Sequence, residues 1–97
     1  MQSIYARGVA RISFTSHLTR HVECPTAIVS GTTVAEVLAS YFALHAPVRA
    51  YVLDEQSRLR NHVVIFVDGE QARDRVHLTD AVGAESEIYV MQALSGG

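Results

Sequence analysis

Apolar and polar residues alternate over residues 9–15, with Ala10, Ile12 and Phe14 on one side and Arg11, Ser13 and Thr15 on the other. That two-residue period is the mark of a half-buried strand. A polar connection over residues 16–21 follows, and residues 22–29 read as a second strand. Pro25 suits an edge position there, because its nitrogen cannot donate to a ladder. Thr33 and Glu36 then have the spacing of a capping box, and Val34, Val37, Leu38, Tyr41, Phe42 and His45 recur at helical intervals. These predict an amphipathic helix of about three turns, which Pro47 prevents from continuing.

Residues 49–53 are expected to form a short strand and residues 54–60 a charged loop. Residues 62–67 are β-branched and aromatic and end in Asp68-Gly69, a pair suited to positive φ and so to a tight hairpin turn. The stretch 71–84 has no clear period, although Leu78 and Val82 are expected to reach the core. Alternation returns over residues 87–94 before the chain stops at Ser95-Gly96-Gly97. Hairpin, helix, strand, hairpin turn, loop and final strand describe an α+β fold. A ubiquitin-like β-grasp, a mixed sheet wrapped around one main helix, fits that order, as do other α+β arrangements.

At 97 residues the chain suits one domain spanning 1–97, with residues 1–8 as a loose tail and 95–97 as a flexible one. The formal charge of −2 and arginines scattered along the sequence give no basic run, which argues against a nucleic-acid partner. No apolar stretch approaches the ~20 residues of a membrane span and no secretory signal opens the chain, so a soluble, cytoplasmic protein is expected. Cys24 is the single cysteine, which excludes an internal disulfide, and its place beside Pro25 in an apolar stretch favours an inert thiol. His17 and His21 are four apart but lack nearby companion ligands, so no metal site is expected. Asp54-Glu55 and the Arg58, Arg60 pair read as a solvated connection.

The terminal glycine pair carries the chemistry. Two glycines would close a chain by chance in roughly 0.5% of cases. Their use is access: a carboxylate threaded into another enzyme's active site cannot carry bulky or stiff neighbours. A carboxylate acylates nothing until it gains a good leaving group, so a separate ATP-consuming enzyme must first make the acyl-adenylate. Sulfide delivered to that adenylate leaves a thiocarboxylate on Gly97. The chain holds no Walker-type glycine loop and no lysine. It is therefore read as a carrier and co-substrate rather than an enzyme, with no bound cofactor and with ATP used by its partner. Without lysine, it also cannot form chains on its own side-chain amines.

The runs Arg58-Leu59-Arg60-Asn61-His62-Val63-Val64-Ile65-Phe66-Val67-Asp68-Gly69 and Glu87-Ile88-Tyr89-Val90-Met91-Gln92-Ala93-Leu94-Ser95-Gly96-Gly97 resemble the third strand, and the last strand plus tail, of the MoaD/ThiS group of sulfur-carrier proteins. The resemblance covers most of the chain and implies a β-grasp fold. It also implies activation by an adenylating enzyme of the ubiquitin-activating class, and sulfur donation to a biosynthetic enzyme making a cofactor, a thiamin-type thiazole, cysteine or a related metabolite. Gly96 and Gly97 alone carry over as functional residues. Gln92 stands where many members have proline, and Glu85-Ser86 where many have a Gly-Asp turn.

A strand period of two that turns Val63, Ile65 and Val67 toward the helix turns Val64 and Phe66 away from it. In the last strand it turns Tyr89 and Met91 away likewise. These four are expected to form a docking patch beside the tail, on a chain that is a monomer or weak dimer by itself. Two other readings use the same terminus: a ubiquitin-like modifier conjugated through Gly97, and a non-catalytic subunit that inserts its tail into a partner.

Overall fold

The computed structural model describes residues 9–92. Five strands form one mixed sheet in the order β2-β1-β5-β3-β4. They are β1 (Val9–Phe14), β2 (Ala27–Ser30), β3 (Val63–Val67), β4 (Glu70–Gln71) and β5 (Glu87–Gln92). The main helix, α2 (Val34–Leu44), lies across one face; α1 (Ser16–Thr19) and α3 (Arg49–Val52) are single turns. The hairpins β1–β2 and β3–β4 are antiparallel, β5 runs parallel to β1, and β3 is antiparallel to β5. Ala10, Ile12, Val63, Ile65, Ile88 and Val90 line the covered face, each at most 1% exposed, opposite Val34, Val37, Leu38 and Tyr41 of α2. The rings of Phe14 and Tyr41 meet at 4.9 Å between them.

Thr33 caps α2 as its spacing predicts, its Oγ1 accepting from the Glu36 amide at 3.2 Å. The reciprocal half of the box is displaced by one residue. The Glu36 carboxylate accepts from the amide and hydroxyl of Thr32, at 2.8 and 2.9 Å, not from Thr33. The remaining first-turn amides are satisfied from outside the helix, Val34 donating to the Asp80 carbonyl and Ala35 to that of Leu78.

Four expectations are corrected by the fold. Residues 16–21 are not a plain polar connection, because Leu18 of α1 is 1% exposed and joins the core. The second strand covers Ala27–Ser30 only. It is an edge strand, but Pro25 lies before it, in an irregular stretch where its carbonyl accepts from the Tyr41 hydroxyl at 2.6 Å. Residues 49–52 are helical rather than extended. Val48 and Val52, four apart, are both fully buried while Ala50 between them, which would share their face in a strand, is exposed, as a helical turn requires. Last, residues 71–84 have a defined path, and it is built by carboxylates rather than by a ladder.

Asp80 accepts from the amides of Arg73 and Asp74. Asp74 accepts from the amides of Val76, His77 and Thr79 and from the Thr79 hydroxyl at 2.6 Å. This network holds Leu78, 3% exposed, at a φ of +56°, a region that disfavours a side chain. The expectation that Leu78 and Val82 reach the core is met, since both are buried.

Donation from these amides and hydroxyls holds the carboxyls of Asp74 and Asp80 below their ordinary values. A depressed folded-state pKa adds stability above the unfolded value of about 3.9, and that contribution is lost as pH falls through the folded value. Thermal melts of the wild type and Asp74→Asn are therefore expected to differ most at neutral pH, the wild type being the more stable. The gap should close as the buffer is taken below about pH 4. A gap that stays constant from neutral to acid would show that the Asp74 charge contributes nothing.

Candidate functional site

The strand that leads to the terminal glycines is the middle one of the five. β5 has β1 on one side and β3 on the other, and its last described residue, Gln92, lies opposite Val63. The Gln92 amide donates to Thr15 Oγ1 at 3.4 Å, at the end of β1. Gln92 therefore stands near the centre of the sheet, with β3 on one side and the end of β1 on the other. Gly96 and Gly97 lie outside the described residues.

On the face away from α2, Met91 stands opposite Val64 and Tyr89 opposite Phe66, so the four expected patch residues form two directly facing cross-strand pairs. Tyr89 is 40% exposed and the other three are half-buried. Ser13 and Gln71 continue the Tyr89–Phe66 row to either side, while Arg11 and Glu87 form the next row. The result is a small apolar island with a polar border, reaching to within one residue of Gln92.

The opposite end of β5 is clamped by a group that sequence reasoning missed. Asp68 and Gly69 form the two-residue turn between β3 and β4 with φ of +51° and +87°, as their identities predict. The Asp68 carboxylate also accepts from the Glu87 amide at 2.9 Å and from the Ser86 hydroxyl at 2.8 Å, and these donors lower its pKa. Ser86 Oγ in turn accepts from the Gly83 amide, and Glu85 takes a φ of +66°. Ser86 is buried, and its hydroxyl closes a turn that enters β5 without the Gly-Asp pair common in the family it resembles. The local pattern marks Asp68 only as a turn residue and carries no sign that its carboxylate reaches a strand nearly twenty positions away.

The other candidates are placed plainly. Cys24 is 4% exposed and burial pushes its thiol up, away from the reactive thiolate. The His17 and His21 rings lie edge to face at 5.2 Å. Among the described residues, no group of three or more histidine, cysteine or acidic side chains is placed to hold a metal ion. The Arg58 guanidinium meets Asp54 at 3.4 Å in an exposed loop, and Asp54 also accepts from the amides of Gln56 and Arg58. An apolar groove of about 420 Å³ runs between α2 and the loops that follow it, lined by Leu38, Phe42, Leu53 and Leu78 with Arg49 and His77. No described helix is long and apolar enough to cross a membrane.

No protein-family model and no curated protein matches the chain. Among solved structures, it superposes on SAMP1 from Haloferax volcanii with a TM-score of 0.78 and 22% identity, covering 93% of this chain and 100% of that one. It also superposes on a chain of the Amycolatopsis orientalis BexX/CysO complex, with a TM-score of 0.77, 22% identity, and coverage of 91% and 99%. CysO from Mycobacterium tuberculosis gives 0.73 and 22%, covering 88% and 99%. The chain has the ubiquitin-like β-grasp fold. In this β-grasp, the mixed sheet and the two hairpins separated by one helix are those expected from the order of elements, and the parallel β1–β5 pair at its centre is what the structure adds.

Burial of Cys24 generates a direct test. In the native protein, alkylation of Cys24 by iodoacetamide is expected to be at least about 100-fold slower than in strong denaturant, because the thiol is reached only through opening. Equal rates would place Cys24 at the surface and reopen it as a nucleophile.

Proposed function

We propose that this protein is a sulfur carrier whose Gly97 carboxylate is adenylated by a partner enzyme of the ubiquitin-activating class and then converted to a thiocarboxylate. The observation that carries the reading is the pairing of a β-grasp whose central strand leads directly into the C-terminal segment with a segment that ends in Gly96-Gly97. A terminus on the middle strand is displayed clear of both sheet edges. Glycine lets its last two residues pass a narrow channel without side chains.

The chain's own part in the chemistry is small. It supplies a carboxylate nucleophile that attacks the α-phosphate of ATP with loss of pyrophosphate, and then an acyl carbon from which sulfide displaces AMP. The partner enzyme supplies the ATP site and the metal ions, and a sulfur-accepting biosynthetic enzyme consumes the product. The outer-face island of Val64, Phe66, Tyr89 and Met91 is the docking surface that holds the body of the carrier while the tail is threaded. The names of two structural neighbours suit a chain that works on a partner: one is called a small archaeal modifier protein, and another was solved in complex with BexX. Conjugation through Gly97 to lysines of other proteins is the second reading, and the modifier names favour it.

Intact-mass spectrometry of protein recovered from cells separates the two. A carrier shows a species heavier by about 16 Da, one oxygen replaced by sulfur, whereas a modifier appears covalently joined to larger proteins. Removal of Gly96 and Gly97 is expected to abolish either product, and a truncated chain that still sustains the pathway would defeat both readings.

Phe66→Asp tests the docking surface, since it places an acid on the outer face and leaves the α2-facing core untouched. It is expected to weaken binding to the adenylating enzyme by at least about tenfold with little change in melting temperature. Unchanged affinity would remove the island from the interface.

A further inference from the structure

The two edges of the sheet are unlike. β4, at one edge, is two residues long and carries Glu70, features that discourage a further strand. β2, at the other, is four residues long, and no charged residue stands anywhere from 24 to 35. It holds no proline, and its register with β1 runs without a bulge from Val9 opposite Ser30 to Ile12 opposite Ala27. Among the described residues no strand lies beyond it. Charge, proline and bulge, the usual guards of an edge, are all missing here.

The direction of the β2 backbone groups follows from β1. The amides of Arg11 and Thr15 donate to the carbonyls of Ser86 and Val90, so the odd-numbered residues of β1 turn their backbone groups toward β5. Ala10 and Ile12 therefore turn theirs toward β2, where Val29 and Ala27 stand opposite. Ile28 and Ser30 have the other parity and aim their amides and carbonyls away from the sheet. The Ser30 carbonyl accepts from the Ser40 hydroxyl at 2.8 Å. The amide and carbonyl of Ile28 form the middle of the open edge.

Two apolar side chains flank that middle. Ile28 and Leu44 are each 70% exposed, more than any other large apolar residue among those described. Ile28, opposite Arg11, lies on the outer face of the sheet. Leu44 lies on the helix side, on the stripe of α2 that also carries Val37 and Ser40. That stripe follows β2 closely: a Cβ added at Gly31 would lie 2.7 Å from the Val37 nitrogen, and Ser40 reaches Ser30. The bond from the Tyr41 hydroxyl to the Pro25 carbonyl shows that α2 runs back along the strand. Ser40 to Leu44 is about 6 Å of helix and Ser30 to Ile28 about 7 Å of strand, so Leu44 is level with Ile28.

We infer that β2 is a self-association edge, at which two copies of this chain pair their β2 strands antiparallel about a two-fold axis at Ile28. Symmetry is what suits the edge to a second copy. With Ile28 opposite the partner's Ile28, each amide donates to the other's carbonyl, and Thr26 stands opposite the partner's Ser30. The same axis brings the two Ile28 side chains together on the outer face and the two Leu44 side chains together on the helix side. No charge between residues 24 and 35 is set against its own copy.

The product is one continuous sheet with the two β5 strands five spacings, or about 24 Å, apart. The islands of Val64, Phe66, Tyr89 and Met91 stay uncovered, because β3 and β5 lie on the far side of β1 from the new contact. The paired segments are short, so the dimer is weak and forms with rising concentration.

Sedimentation equilibrium of the full-length protein from about 10 μM to about 1 mM tests the pairing, and the wild type is expected to pass from monomer toward dimer over that range. Ile28→Lys changes a side chain already in water and sets like charges face to face. It is expected to raise the dissociation constant at least about tenfold while melting like the wild type at about 10 μM. Ile28→Pro removes an amide that β1 does not use and is expected to weaken the dimer likewise. Exchange of the Ile28 amide hydrogen is expected to slow at least about threefold between the lowest and highest concentrations.

A wild type that remains monomeric at about 1 mM would overturn the inference and leave this edge to water or to a strand of another protein. A dimer that ignores Ile28→Lys, or an Ile28 amide whose exchange is independent of concentration, would place the contact elsewhere and overturn it equally. None of these outcomes touches the carrier reading, which rests on the tail.

Discussion

The parallel pairing of β1 with β5 is the constraint on which the rest of this structure depends. Parallel neighbours cannot be joined by a tight turn, so the chain between them must leave the sheet and return. Here that excursion carries α2, which covers the sheet, and the β3–β4 hairpin, which completes it on the other side of β5. Once β5 is central, its two faces are assigned. Ile88 and Val90 are buried beneath the helix, and Tyr89 and Met91 are turned outward beside Phe66 and Val64.

A central last strand also fixes the base of the tail. Hydrogen bonding to strands on both sides leaves β5 little freedom to fray, so the point of departure at Gln92 is stiff. The start of the strand is held equally well by Asp68, whose carboxylate ties the β3–β4 turn to Ser86 and Glu87. At the entry turn the buried Ser86 hydroxyl bridges the Gly83 amide and the Asp68 carboxylate.

Side-chain hydrogen bonds to the backbone hold the loops at both ends of the sheet. Arg60 and Arg75 are arrested by backbone carbonyls near Val63. Acids crowd the turn at the other end, where amides and hydroxyls stabilise them. Such self-contained carboxylate networks, at Asp68, Asp74 and Asp80, do structural work in loops that lack ladder hydrogen bonds.

The sequence by itself determined the local periods: β1, the body of α2 with its Thr33 cap, β3 with its Asp68-Gly69 turn, and β5. Each is decided by which neighbours must face the same way, a property of residues within one turn or one strand. The identity of the outward patch followed from the same period. Tertiary structure alone decided what depends on distant partners. Residues 49–52 took a helical turn, which buries Val48 and Val52 and leaves Ala50 outside, and the second strand began only beyond Pro25, whose carbonyl accepts from Tyr41. Residues 73–80, aperiodic in sequence, acquired a path because two carboxylates could each collect several amides.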